Sequence, residues 1–390
     1  MLPRVDLAEP RAAALFQFAF FLFAYYAYVG AFTPYAGLWF AARGMGPGEV
    51  GILMSLMQVT RIFGPGLWAW VADHTARRVT VLRVTALSAL VIFGGLLLGR
   101  DFAAFFAVML ALNACTGSQA PLSDALILAE LKGDFKRYGR LRLWGSVGFI
   151  IAVSVGGRLL DLWGILAMPW ICWALLALVF IASFCLREKP HAPVYEEQPS
   201  IRSQLRKPEV ISFFASTFLM VAAHAALYVF FTLYLAQLGY SKTTIGMMWS
   251  LGVIVEIAFF YFQAPLFRRF GVRNIMLAAL LLAFVRFMLV GLGAQYLSLL
   301  IVAQVLHAAT FAAHHSASVI TLQRWFTGSL QSRGQGLYVS ISYGLGGSFG
   351  GFLLSAFWDE ADGRSVFVVA ALLALAGMFA ARHSYRLQNS

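Results

Sequence analysis

Gly51-Ile52-Leu53-Met54-Ser55-Leu56, leading into Arg61-Ile62, returns 195 residues later as Gly246-Met247-Met248-Trp249-Ser250-Leu251, leading into Glu256-Ile257. Glycine, serine, leucine and isoleucine recur in register, at an offset of half the 390-residue length. The charge alone is reversed, Arg61 against Glu256. Both stretches are hydrophobic spans, so the two ionisable side chains sit at equivalent depths of two related helices. A charge at the bilayer centre costs about 2.5–3.5 kcal/mol on insertion scales, which makes such residues functional by default. Two membrane halves related by a parallel repeat, with a midplane site between them, describe one kind of secondary transporter.

Composition points the same way. The chain is 61% hydrophobic and 12% charged, with a mean hydropathy of +0.77, more apolar surface than a soluble domain of this size can bury. A membrane span needs about 20 mostly apolar residues. Twelve segments qualify: 12–40, 50–72, 79–98, 102–128, 139–160 and 165–186, then 210–238, 243–267, 274–293, 296–323, 334–357 and 365–381. The fold class is therefore all-α integral membrane, with twelve transmembrane helices in two pseudo-symmetric six-helix bundles, 1–186 and 209–390. The stretch 187–208, with Glu188-Lys189-Pro190-His191, Glu196-Glu197 and Pro199-Ser200, reads as a solvated linker with a short surface helix near Ser203. The first span is too long for a signal peptide's apolar region and should stay attached.

The net charge of +12 resembles a nucleic-acid signal until the loops are sorted. Basic residues gather on alternate loops: Arg77, Arg78 and Arg83; Lys132, Lys136, Arg137 and Arg140; Arg187 to Lys207; Arg268, Arg269 and Arg273. That bias is the positive-inside rule and puts both termini in the cytoplasm. No nucleic-acid partner is expected. Cys115, Cys172 and Cys185 fall inside spans without C-x-x-C spacing and read as small core residues. Glycines concentrate in the fifth span (Gly145, Gly148, Gly156, Gly157) and the eleventh (Gly344, Gly346, Gly347, Gly350, Gly351), where helices must approach backbone to backbone.

Within the spans the acids are Asp124 and Glu256, the bases Arg61, Arg142 and Arg286, and the histidines His224, His307, His314 and His315. Arg61 and Arg286 lie too deep to snorkel; Arg142 is near enough to its span's end that snorkelling competes with a functional role. Asn113, Gly117, Ala120 and Asp124 share one helical face, and Arg142, Ser146 and Phe149 share another on the next helix. An acid, a base, a hydroxyl and an aromatic ring together suit a polar organic solute. An imidazole at mid-depth can carry or gate a proton. No helix completes a metal set or a nucleophile–base pair, so neither a metal site nor an enzyme is expected.

The chain resembles the major facilitator superfamily, and within it the lactose-permease and phenylpropionate-permease group of proton symporters. The loop Ala69-Trp70-Val71-Ala72-Asp73-His74-Thr75-Ala76-Arg77-Arg78 keeps the acid and Arg pair of the superfamily signature, though Ala69 replaces its usual glycine. Tyr138-Gly139-Arg140-Leu141-Arg142-Leu143-Trp144-Gly145-Ser146-Val147-Gly148 resembles the start of the permease's fifth helix. That resemblance implies that Asp124 and Arg142 pair to hold solute and that Phe149 stacks on it. It implies proton coupling through Glu256, Arg286 and His307, with Thr310 standing where the permease has a second Glu. Arg61-Ile62-Phe63-Gly64-Pro65 fits the phenylpropionate-type branch instead, and a central cation suits a carboxylate.

The resulting expectation is a proton-coupled symporter of a small organic solute, a carboxylate such as an aromatic acid, working by alternating access in a bacterial inner membrane. Arg61, Asp124, Arg142, Ser146 and Phe149 bind solute; Glu256, Arg286, His307 and His314 handle the proton; Asp73, Arg77 and Arg78 form the conformational loop motif. The proton gradient supplies the energy, no cofactor is needed, and a monomer in the lipid bilayer is expected. The alternatives are a proton-driven exporter, disfavoured because the fifth span lacks the Gly-Pro pair of drug antiporters, and a sugar or nucleoside symporter.

Overall fold

The computed structural model describes residues 12–131, 134–188, 201–328, 330–359 and 362–388. Eleven helices in it are long and apolar enough to cross a membrane. They are α1 (Leu15–Ala42), α2 (Pro47–Thr75), α3 (Arg78–Leu98), α4 (Phe102–Glu130), α5 (Arg137–Trp163), α6 (Ile165–Cys185), α7 (Pro208–Gln237), the continuous Lys242–Gly293, α10 (Leu297–Trp325), α11 (Leu330–Ser355) and α12 (Arg364–Leu387). Lys242–Gly293 is 52 residues long and breaks once, at Gly271 (φ 73, ψ 160). That conformation is open essentially to glycine alone, and it divides the stretch into α8 (242–270) and α9 (272–293). Twelve spans result, at the positions expected. The basic residues Arg268, Arg269 and Arg273 flank this one-residue reversal instead of occupying a loop. Lys132, Lys189, Pro190, His191, Glu196, Glu197, Pro199 and Ser200 lie outside the described residues; a four-residue helix, Arg202–Leu205, occupies the position expected near Ser203.

Helix pairs repeat across the two halves. At Gly148 an added Cβ would run into the backbone of Phe23 on α1, and at Gly346 into that of Phe218 on α7. Phe23 and Phe218 are themselves related by the 195-residue offset, so α1–α5 and α7–α11 are equivalent backbone-to-backbone contacts. Gly148 of the fifth span and Gly346 and Gly350 of the eleventh serve this close approach, while Gly157, Gly344, Gly347 and Gly351 face the other half.

Two further seams join the halves. On α2, Gly51, Ser55, Gln58 and Ile62 face Ser355, Gly351, Gly347 and Gly344 on α11, and Ser340 donates to the Ile62 carbonyl at 3.1 Å. On α5, Asp161 accepts from the backbone N–H groups of Lys242 (2.9 Å) and Thr243 (2.8 Å) and from the Thr243 hydroxyl (2.6 Å), capping α8 from the other half. Tyr35 adds a bond to the Lys242 carbonyl at 3.2 Å, and Ser154 meets Ser250 at 2.7 Å. Continued one turn further, the α2–α11 stripe reaches Gly66 and Gly336, where an added Cβ would meet nothing within 4 Å. The α2–α11 seam is thus shut at the end carrying the α1–α2 and α11–α12 connections and parted at the other, and the α5–α8 bonds lie at the same shut end.

Candidate functional site

Where the closed seams end, at mid-depth, the charged side chains collect. On the N-terminal side Arg142 pairs with Asp124 at 3.9 Å, an ion pair too long to be a hydrogen bond. The guanidinium also donates to the Tyr26 hydroxyl and lies 4.1 Å from that ring's centroid. Tyr138 lies beside the Asp124 carboxylate. Arg142 is therefore bound within the protein and does not snorkel. Ser146 is half-buried one turn along. Phe149 points at the seam, its ring 6.5 Å from Trp249 on α8. The expected face of α4 divides at Gly117: Asn113 turns back on its own helix, bonding the Met109 carbonyl at 2.8 Å. The neighbouring Ser118 and Gln119 tie to Thr85 on α3 at 2.7 and 2.8 Å.

Arg61 differs from Arg142, which has an acid, and from Arg286, which has three neutral acceptors: among the described residues its guanidinium has neither. Among the described residues no acid lies within ion-pair distance of it; its guanidinium sits 5.9 Å from the centroid of Tyr343, on α11 of the opposite half. Four phenols, Tyr25, Tyr26, Tyr228 and Tyr343, lie in the field of its charge. A cation against an aromatic face gains about 0.5–2 kcal/mol, much less than a carboxylate would supply at that depth.

On the C-terminal side Glu256 lies 3.7 Å from Nε2 of His307. The expected approach of Arg286 to Glu256 gives way to a different arrangement. Arg286 is fully buried and donates to three neutral acceptors: the Ala303 carbonyl (2.9 Å), Gln304 Oε1 (3.2 Å) and the Thr310 hydroxyl (3.3 Å). Gln304 and Thr310, neither acidic, take the place of a carboxylate, so Arg286 pins α9 to α10. His224 joins this group at 3.5 Å from Thr310. His314 is buried with an unpartnered Nε2 and lines a narrow cleft with His224, Tyr228, Phe311 and Tyr343. In the loop motif Asp73 pairs with Arg78 at 3.2 Å, while Arg77 is exposed at the head of α3.

The helices carrying this cluster are locally wide. Ala226–Phe230 in α7, Ala308–Ala313 in α10 and Val339–Gly346 in α11 form π-helical turns. Such turns are rare and frequent at functional sites. They carry Tyr228, Thr310 and Phe311, and Tyr343. Sequence reasoning missed these tyrosines, along with Tyr26 and Tyr138. The available signal was a phenol in an otherwise aliphatic span, whose hydroxyl must find a partner when buried.

Twelve membrane-length helices in two related halves, with ionisable groups gathered at mid-depth between them, define a multi-pass secondary transporter rather than an enzyme. The chain belongs to the MFS_1 like family of the major facilitator superfamily, whose sequence profile matches residues 15–369. It is 31% identical over 366 residues to a probable 3-phenylpropionic acid transporter of Escherichia coli (strain K12), covering 92% of this chain and 94% of that one. It is 30% identical over 279 residues to a maltose permease of Geobacillus stearothermophilus, covering 70% of each. Among solved structures it resembles the nucleoside transporter NupG, with a TM-score of 0.81 at 18% identity over 95% of this chain and 99% of that one. It also resembles a bacterial homologue of the lysosomal transporter Spinster in an inward-facing, unoccupied conformation, with a TM-score of 0.76 at 14% identity over 97% and 98%. The last two likenesses concern the fold.

Proposed function

We propose that this transporter imports a small aromatic carboxylate together with protons, with both termini in the cytoplasm of a bacterial cell. The observation that carries the reading is Arg61. A cation at mid-depth, facing aromatic rings and no acid, is an incomplete ion pair that a solute carboxylate completes. Leaving such a charge unpaired in a dry site is costly, but water in an open cavity relieves the cost until solute displaces it. Tyr25, Tyr26, Tyr228 and Tyr343 then offer faces for an aromatic ring. The name of the Escherichia coli relative supports the same class of solute. Glu256 carries the proton with His307 beside it. Asp124 and Arg142, with Ser146 and Phe149, complete the solute cavity; Arg286 and His314 shape the proton side; Asp73, Arg77 and Arg78 act in the loop. Residues 1–186 and 209–390 rock against each other about the 187–208 linker.

The test uses purified protein in proteoliposomes with radiolabelled 3-phenylpropionate. The wild type accumulates the acid when the solution on the uptake side is more acidic. Arg61→Gln weakens its binding at least tenfold while 3-phenylpropionamide, where it binds, loses less than twofold. Equal losses for acid and amide assign Arg61 to structure and leave the Asp124–Arg142–Tyr26 group as the anchor of a neutral sugar or nucleoside. The polar character of that group favours this second reading.

A further inference from the structure

The proposed solute cation and the proposed proton carrier stand on opposite halves of the molecule, yet an unbroken series of side chains joins them. Arg61 lies over the ring of Tyr343 at 5.9 Å. The Tyr343 hydroxyl is 3.2 Å from Nδ1 of His315, and Tyr338 reaches the same nitrogen at 3.5 Å. The His315 ring is parallel to Phe311, with centroids 6.4 Å apart and planes 10° apart. Phe311 in turn stacks on His307 at 5.4 Å and 10°, and His307 lies against Glu256 at 3.7 Å. His315 also lies in the field of the Glu256 charge.

We propose that His315 is the residue that reports solute occupancy at Arg61 to Glu256, through its hydrogen bond with Tyr343. This rests on the carboxylate–proton symport reading above. While Tyr343 donates to Nδ1, that nitrogen cannot accept a proton, and the ring stays neutral with its hydrogen on Nε2. A solute carboxylate competes with the Tyr343 ring for the Arg61 guanidinium, because a charged acceptor binds it more strongly than an aromatic face. Released from Arg61, Tyr343 gives up Nδ1, which takes a proton from cavity water while Nε2 passes its own hydrogen toward the Glu256 carboxylate, so that the carrier is loaded and the ring is again neutral. The groups facing His315 are Glu256 from α8, Tyr338 and Tyr343 from α11, and His314 on its own helix. Glu256 is faced by His307 and His315 from α10, Arg142 from α5 and Tyr228 from α7. Acid, imidazole and phenol thus meet where solute binding can alter the number of protons held. His315 is a positioning residue and does not touch the solute.

The experiment measures proton uptake by a pH-sensitive dye when sodium 3-phenylpropionate, matched in pH, is added to weakly buffered full-length protein, with affinity measured in parallel. The wild type takes up protons on binding. His315→Gln binds the acid within threefold of wild type but takes up at least fivefold fewer protons. Tyr343→Phe, which frees Nδ1 before the acid arrives, loses the solute-induced step as well, whatever its affinity. Wild-type proton uptake in His315→Gln overturns the link alone. Loss of binding in His315→Gln places that residue in the solute site or the fold and also overturns it. A wild type that binds without taking up protons overturns proton symport, and one that does not bind overturns the carboxylate reading; either removes the link with it.

Discussion

Among single residues, the deep charges divide by what satisfies them. Arg286 has three neutral acceptors and no acid within ion-pair distance among the described residues. Its charge is dispersed into helix α10, and it serves as a rivet. Arg142 has Asp124 and Tyr26. Among the described residues the one group within ion-pair distance of Glu256 is an imidazole at 3.7 Å, a partner that is charged or neutral according to its own proton. A carboxylate so placed can gain or lose a proton without breaking a fixed ion pair, which suits a carrier. Glu256→Gln keeps the shape and removes the titration. Accumulation driven by a pH gradient is expected to collapse at least tenfold in this variant, while exchange between equally loaded sides stays within about threefold, as transport assays in proteoliposomes would record. Wild-type accumulation in this variant would exclude Glu256 as the obligatory carrier.

Helices show where motion is permitted. The α1–α5 and α7–α11 contacts run backbone against backbone through Gly148 and Gly346; these are within-half contacts that rigid bodies keep. The α5–α8 seam adds to a backbone approach at Gly157 and Gly246 a set of polar bonds that can be exchanged for water. Its strongest point is Asp161, which caps α8 through two backbone N–H groups and the Thr243 hydroxyl and lies 3.6 Å from the Lys242 ammonium. A helix cap contributes about 0.5–2 kcal/mol. Because this one crosses between halves, it stabilises only the conformation with this end shut. Asp161→Ala is expected to shift the population toward opening at this end by roughly 2- to 30-fold, since 1.4 kcal/mol is tenfold. The readout is thiol labelling of Ser250→Cys, buried at the seam, in the Asp161→Ala background; an unchanged rate would remove the cap from the gate.

Over the whole molecule, the state is set by which end of the paired seams is parted. The α2–α11 stripe is tight from Gly51–Ser355 to Ile62–Gly344 and free at Gly66 and Gly336. With the termini in the cytoplasm, as proposed, the parted end faces inward. Gly66→Cys and Gly336→Cys are then expected to react with a membrane-impermeant maleimide in inside-out vesicles at least tenfold faster than in right-side-out ones. Faster labelling in right-side-out vesicles would reverse the topology. The same arrangement gives the proposed proton coupling its geometry, with Arg61 on one half and Glu256 on the other.

Twelve spans, their repeat at an offset of 195 and the depth of Arg61 and Glu256 were legible in the sequence, because hydropathy and helical periodicity are local properties that survive without knowledge of neighbours. The resemblance at the start of the fifth helix likewise implied the pairing of Asp124 with Arg142, which lie 3.9 Å apart. Partner choice was not legible. Arg286, expected to handle the proton with Glu256, instead bonds Ala303, Gln304 and Thr310, and His315, named among the deep histidines but outside the expected proton-handling set, bonds Tyr343 and lies in the field of Glu256. The reversal at Gly271 and the three π-helical turns were likewise unread. Each depends on which helix packs beside which, and on a few degrees of backbone widening that rotate a side chain onto a new neighbour. Tertiary packing decides these contacts, because a buried polar group takes whichever partner the adjoining helix presents.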